Sequence, residues 1–230
     1  MAKVDLHNFF KYYDAKIPSH VAAVERLERD LDGSPLLDDS SDWVGIYRNK
    51  EERIDTIILD VPFYPQTDNY RDASRTCNSS SCAMALEYFL PGTLVGARGD
   101  DAYIEKVFTI GDTTDHSVQT RVLLTYGIKS SFSYGLSFDD LDHELADESP
   151  VVIGILHRGT LSAPTGGHMV VVRGKTTSGD YIVNDPYGSL NDGYTSSVMN
   201  GKGAIYSRRD LSYRWCPNGN DGWGRVFEVN

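Results

Sequence analysis

The chain has 230 residues, with 22 Lys and Arg against 33 Asp and Glu, a formal net charge of −11. That balance argues against a protein that grips nucleic acid by neutralising phosphates, while 40% apolar and 24% charged residues exclude wholesale disorder and support a core without disulfide staples. With no run of about eighteen apolar residues and no apolar stretch in MAKVDLHNFF, the expectation is a cytoplasmic product without a transmembrane helix or secretory signal, retained until something releases it.

Two amphipathic helices are predicted in the first thirty residues. Leu6, Phe9, Phe10 and Tyr13 recur at spacings of three and four, and Val21, Val24, Leu27 and Leu31 repeat the pattern, with Ser19 as an N-cap and Asp32-Gly33 as a stop. A polar stretch, Gly33 to Lys50, carries Trp43, Ile46 and Tyr47 and reads as a docked connector, so the chain divides into residues 1–52 and 53–230. From Ile54 the pattern changes. IDTIILDVPFY (54–64), PVVIGIL (150–156), HMVVVRG (168–174), YIVND (181–185) and GRVFEV (224–229) are short apolar runs between turn residues and predict strands, the later ones antiparallel neighbours. Helical patterns lie at 79–90, 100–108, 117–127 and 137–147, the last capped by Ser137 with Phe138, Leu141 and Leu145 on one face. Helices precede the sheet, so the fold class is α+β.

Three cysteines, Cys77, Cys82 and Cys216, are an odd number without CxxC spacing, which fits neither a disulfide framework nor a four-ligand zinc site and leaves at least one thiol free. In SRTCNSSSCAMALEYFL, Cys77 stands where an almost wholly apolar helix begins. There the unpaired amides and the helix dipole favour a thiolate and could hold an oxyanion. A small buried residue is the bland alternative for Cys77. Cys82 lies within the helix and reads as core, and Cys216 sits in a Trp/Pro/Gly-rich loop. A nucleophilic Cys needs a base and the base needs an orienting partner. His168 opens a strand after Gly166-Gly167, and Asp185 ends the next strand; both can reach one edge of the sheet, although spacing alone does not pair them. Gln66, in VPFYPQ, is a candidate oxyanion donor.

These residues resemble the C39-like branch of the papain-like cysteine peptidases. LDVPFYPQ, TCNSSSCAMALEYF, GGHMVVVRG and YIVNDPYG follow in that family's order over about residues 55–190. The resemblance implies a papain-like fold with a helical lobe on an antiparallel sheet. It also implies Gln66 as oxyanion donor, Cys77 as nucleophile, His168 as general base and Asp185 as the residue orienting it, with no cofactor or metal. Many relatives carry Cys-Gly-Pro where this chain has Cys77-Asn78-Ser79, which bears on the shape of the substrate pocket. Cys82 is an alternative nucleophile, without a helix cap of its own. The first thirty residues resemble a helical segment of phage cell-wall hydrolases, or are simply a helical pair packed on the main domain.

The expected activity is therefore a cysteine endopeptidase cutting the peptide part of bacterial peptidoglycan as a phage endolysin. Such a protein would be made in the cytoplasm, act in the host wall or periplasm, and work as a monomer without nucleic-acid or membrane partners. A protein-processing proteinase and an inactive papain-like binding module are the alternatives. No phosphate-binding, dinucleotide or HExxH motif occurs, and the acidic clusters Asp38–Asp42 and Asp112–Asp115 lack calcium-loop spacing and read as solvated loops. The aromatic tail YRWCPNGNDGWGRVF could line a groove or close the core.

Overall fold

The computed structural model describes residues 56–228, all within one unit, Ile54–Asn230. The helical pair and connector expected over residues 4–50 lie outside the described residues. In chain order the elements are β1 (Ile57–Ile58), α1 (Cys77–Phe89), α2 (Asp100–Ile110), α3 (His116–Thr125), β2 (Lys129–Leu136) and α4 (Phe138–Ala146), followed by β3 (Val151–Ile155), β4 (Arg158–Thr160), β5 (Ala163–Thr165), β6 (His168–Lys175), β7 (Tyr181–Asn184), β8 (Lys202–Tyr206), α5 (Arg208–Arg214) and β9 (Gly222–Glu228).

The main sheet is antiparallel, in the order β2-β9-β3-β6-β7-β8, with β1 also on β6; β4 and β5 form a separate hairpin. β6 is central because its run of valines is buried on both faces. Its register with β3 runs from Val151↔Val172 to Ile155↔His168, so His168 is the last paired residue at that end. On the other side β7 pairs Val171↔Asn184, which brings the β7 terminus and Asp185 toward the same end.

α1 packs on β6 and β3 and is buried along most of its length, Asn78 to Leu86. Its buried polar side chains are accordingly all bonded: Ser79 to Thr113 at 2.6 Å, Ser80 to Asp100 at 2.6 Å, and Ser81 to the Met169 carbonyl at 3.1 Å. Met84 and Leu86, fully buried, each contribute about 1.5–3 kcal/mol of transfer free energy. α4 is the amphipathic helix its pattern predicts, with Ser137 and Asp140 in a reciprocal capping box and Phe138, Leu141 and Leu145 buried.

The strand expected over 54–64 is paired only at Ile57–Ile58 among the described residues. β3 occupies that edge of β6 as far as Val172, leaving Gly174 and Lys175 to pair. Gly174 allows this approach, since a Cβ there would stand 2.2 Å from the Ile57 carbonyl oxygen. Beyond it, Leu59, Val61 and Tyr64 are buried in an extended segment broken by Pro62 and Pro65, which have no N–H to donate. β2, β8, α5 and the β4–β5 hairpin were not expected. β2 (KSSFSYGL) is mostly polar with one buried residue, Leu136, so it carries little apolar alternation.

Candidate active site

Cys77 is the first residue of α1. The helix has no side-chain cap: the Thr76 hydroxyl donates to the Ala73 carbonyl and accepts from Asn69 Nδ2, and among the described residues no side chain takes the first amides of the helix. Those amides therefore stay available to a negative charge at the sulfur or beside it. Burial pushes the Cys77 thiol up, but the His168 imidazole and the amides of Met169 and Asn78 outweigh it and hold the thiol below its ordinary value of 9.0.

His168 is nearly buried, and its Nε2 donates to Asp185 Oδ1 at 2.6 Å. Nδ1 is thus the nitrogen left to face Cys77. Burial pulls His168 down, yet the Asp185 carboxylate and the Cys77 sulfur raise it well above 6.5. The two opposite shifts both favour a thiolate beside an imidazolium. Asp185 is fully buried and fully satisfied. Oδ1 also accepts from the Tyr187 amide at 2.9 Å, and Oδ2 accepts the hydroxyls of Tyr206 at 2.6 Å and Tyr194 at 3.1 Å. With four donors, the carboxylate cannot swing away from the imidazole without breaking buried hydrogen bonds.

Gln66 lies in a single turn of 3-10 helix, fixed by its amide bonding the Pro186 carbonyl at 2.8 Å. The preceding segment is held by Asn184, whose Nδ2 donates to the Val61 and Pro62 carbonyls at 3.1 and 3.0 Å. One hydrogen of Gln66 Nε2 goes to the Ala73 carbonyl at 2.8 Å, which leaves the second unassigned. Gln66, Cys77 and His168 line one cleft of about 280 Å³, together with His157, Arg158 and Tyr187. Three of the four residues predicted from sequence therefore share a cavity, and Asp185 stands behind His168.

Cys82 is fully buried and its thiol is raised by burial, so it is core. Cys216 is buried with its sulfur 3.4 Å from the Leu136 carbonyl, and all three thiols are free. Asn78, in place of the relatives' glycine, turns away from the cleft toward His116 Nδ1 at 3.3 Å. Of the aromatic tail, Trp215 is core, while Trp223 covers the glycines Gly154 and Gly167 beside His168. The residues sequence reasoning missed are Tyr194 and Tyr206, which hold Asp185, and His157 and Arg158 in the cleft wall. Nothing local in DGYTSS, AIYSR or ILHRG distinguishes them. Among the described residues no group of three His, Cys, Asp or Glu side chains could hold a metal ion, and no helix is long and apolar enough to cross a membrane. Asp115 caps α3, and Asp112, held down to about 2 chiefly by Thr114 and by Arg75, ties its own loop.

The model of the Peptidase_C39 like family matches residues 58–209, a span that contains all four residues. The chain belongs to that family. It is a C39-like cysteine peptidase, a hydrolase with the α+β papain-like fold. A C39-like peptidase structure from Bacillus anthracis is 16% identical, with a TM-score of 0.53 over 76% of this chain and 98% of that one. A double glycine motif protease from an AMS/PCAT transporter, solved with its leader peptide, is 14% identical at a TM-score of 0.47, over 75% of this chain and 94% of that one. Among curated proteins nothing matches. At these identities the likeness to the Bacillus anthracis structure concerns the fold.

Proposed function

We propose that this C39-like peptidase is a cysteine endopeptidase in which Cys77, His168 and Asp185 form the catalytic triad. The observation that carries the reading is the buried His168 held between Cys77 and Asp185, with the thiol shifted down and the imidazole up. The Cys77 thiolate attacks the peptide carbonyl carbon, forming a C–S bond while the carbonyl electrons move onto oxygen. The free hydrogen of Gln66 Nε2 and the amide of Cys77 receive that oxyanion, an arrangement worth about 10²–10³ in rate per donor. His168 Nδ1 gives its proton to the departing amine as the C–N bond breaks. Neutral His168 then takes a proton from water, the hydroxide attacks the thioester, and the thiolate leaves with the imidazolium restored. An inactive binding module would have no use for a satisfied Asp185 and a lowered thiol. Purified protein tests this: Cys77 should be alkylated well below pH 8, and Cys77→Ala should remove all turnover while retaining the wild-type circular dichroism. Alkylation confined to high pH would dismiss the triad.

For the substrate we propose the peptide portion of bacterial peptidoglycan, with the protein acting as a phage lysis enzyme. The support is the likeness of the N-terminal residues to the helical segment of phage wall hydrolases. A net charge of −11 favours a second reading, a proteinase processing a specific protein, because anionic wall polymers repel such a chain until salt screens it. Incubation of wild type and Cys77→Ala with Gram-negative peptidoglycan, followed by turbidity and mass spectrometry, separates the two. New amine ends at one stem or cross-link position, absent with the variant, establish the wall endopeptidase. Intact wall beside a reactive Cys77 moves the substrate to a protein.

A further inference from the structure

The chain is strongly acidic as a whole, with a net charge of −11, yet Arg158 lines the cleft beside Cys77 and no acid does. Past Tyr187 it continues into a second hollow of about 490 Å³ lined by His157, Arg158, Tyr187, Tyr194 and Arg214 among others. His157, Arg158 and Tyr187 line both hollows, so the second adjoins the one that holds Cys77. No carboxylate lines either part. Asp185, behind His168, is spent on His168, Tyr194, Tyr206 and the Tyr187 amide. Among the described residues neither Arg158 nor Arg214 has an ion-pair partner within 4.0 Å.

Both arginines are held in place by other bonds. Arg214, almost buried at the end of α5, donates from Nη1 to the Leu156 and Arg158 carbonyls at 2.6 and 3.1 Å and from Nη2 to the Gly159 carbonyl at 3.1 Å. Its charge is fixed under the hollow and has only neutral partners. Arg158 is exposed, and its Nε donates to His157 Nε2 at 3.2 Å. An accepting Nε2 requires a neutral His157 with its proton on Nδ1. Burial and the charges of His168 and Arg158 enforce this by pushing His157 down to about 4. The bond orients the guanidinium and leaves both terminal nitrogens of Arg158 without a partner among the described residues, a fork that matches two acceptor oxygens. A nearly buried Arg without an anion is costly, and an incoming anion offsets that cost on binding.

We propose that this hollow is a substrate subsite for a carboxylate, carried by the peptide one or two residues from the scissile bond and bound by Arg158 with Arg214 beneath it. The inference rests on Cys77 being the nucleophile and adds the class of peptide that the site selects. An acidic side chain and a free C-terminal carboxylate present the same chemistry.

A mixed peptide library, digested by the full-length protein and analysed by mass spectrometry, tests it. Asp or Glu should be enriched at one fixed position near the cut. Alternatively, cuts should fall at a fixed distance from the C-terminus and vanish when that end is amidated, which identifies the source. For a preferred peptide, replacing the carboxylate by its amide should lower kcat/KM about tenfold in wild type and hardly at all in Arg158→Gln. Cys77-dependent cutting with no carboxylate preference, or a preference that survives Arg158→Glu, overturns the subsite and leaves the triad standing. A second measurement needs no turnover: the rate at which iodoacetate, relative to neutral iodoacetamide, alkylates Cys77. In both reagents the sulfur displaces iodide, so the ratio isolates attraction of a carboxylate. It should fall severalfold in Arg158→Gln; an unchanged ratio overturns the proposal. A Cys77 that neither reagent modifies removes the nucleophile and the subsite together.

Discussion

Two histidines line the cleft with their rings 5.2 Å apart, and their surroundings drive them in opposite directions. His168, opening β6, has Asp185 on one nitrogen and Cys77 on the other, and is raised. His157, just after β3, has Arg158 against it and His168 nearby, and is lowered to about 4. Both are desolvated, which favours the neutral ring in each case. The difference lies in whether a buried carboxylate is in hydrogen-bond contact. Proximity to a catalytic centre therefore does not make a histidine a base; here one ring holds the proton and its neighbour aims an arginine.

Substitutions can break this contrast. The largest effect is expected for His168→Ala, which should lower kcat/KM by about 10³-fold or more and raise the Cys77 thiol, because burial is then opposed only by the amides of Met169 and Asn78; peptide turnover reads the first effect and the pH profile of alkylation the second. Next, Asp185→Asn keeps the shape but removes the charge, and should cost about 10²–10⁴ in kcat. In the same variant the His168 ring signals, followed by NMR, should titrate at lower pH. Tyr206→Phe leaves Asp185 Oδ2 with Tyr194 alone and should destabilise the fold by about 1–3 kcal/mol in urea unfolding, with a smaller loss of turnover. His157→Gln should change turnover least. Its wild-type ring signals should titrate near 4, and an inflection near neutrality would show that burial and the charges of His168 and Arg158 do not hold it down.

The contrast also has a pH signature in stability. Between the unfolded values of 6.5 for His and 9.0 for Cys, the unfolded chain holds one proton on Cys77 and none on His168, whereas a folded thiolate–imidazolium pair, which both shifts favour, holds one on His168 and none on Cys77. Proton counts match, so the pair contributes a constant amount over that window. Above 9.0 the folded state holds the extra proton, and stability is lost as pH rises through the raised His168 value. Below 6.5 the unfolded state binds more protons, at Cys77 with His168 and separately at His157, so stability falls with pH. Comparing wild-type unfolding free energies with those of a Cys77→Ala, His168→Leu double variant isolates the plateau; a difference that slopes between 7 and 8.5 would mean the thiolate–imidazolium pair is not the resting state.

Much of this was legible along the chain. The Ser137 cap and the three-four spacing of Phe138, Leu141 and Leu145 specify α4 locally, and the apolar runs of β3 and β6 declare buried strands. Cys77 at a helix start and His168 at a strand start are visible for the same reason, since each depends on where an element begins. The bond between His168 and Asp185 was not, because it depends on the bulged register of β6 with β7 and on tyrosines 9 and 21 residues beyond Asp185. β2 escaped because its inward side is supplied partly by Arg225 of β9, whose guanidinium bonds Ser130 and Thr120 at 2.7 Å, so serines occupy places where apolar residues are expected. Arg158 and Arg214 have meaning only once α5 is folded under the β4–β5 hairpin.

The anchoring of Gln66 has a consequence for the order in which the protein acquires its activity. The carbonyls of Val61 and Pro62 and the amide of Gln66 are secured by Asn184 and Pro186, more than a hundred residues later in the chain. A nascent chain still lacking β7 has neither Asp185 to charge the imidazole nor the partners that fix Gln66. Such sequence-distant pairings form late because their loop-closure entropy is met only when the rest of the sheet is in place. In the proposed mechanism Cys77 is thus synthesised early and gains its full set of partners late.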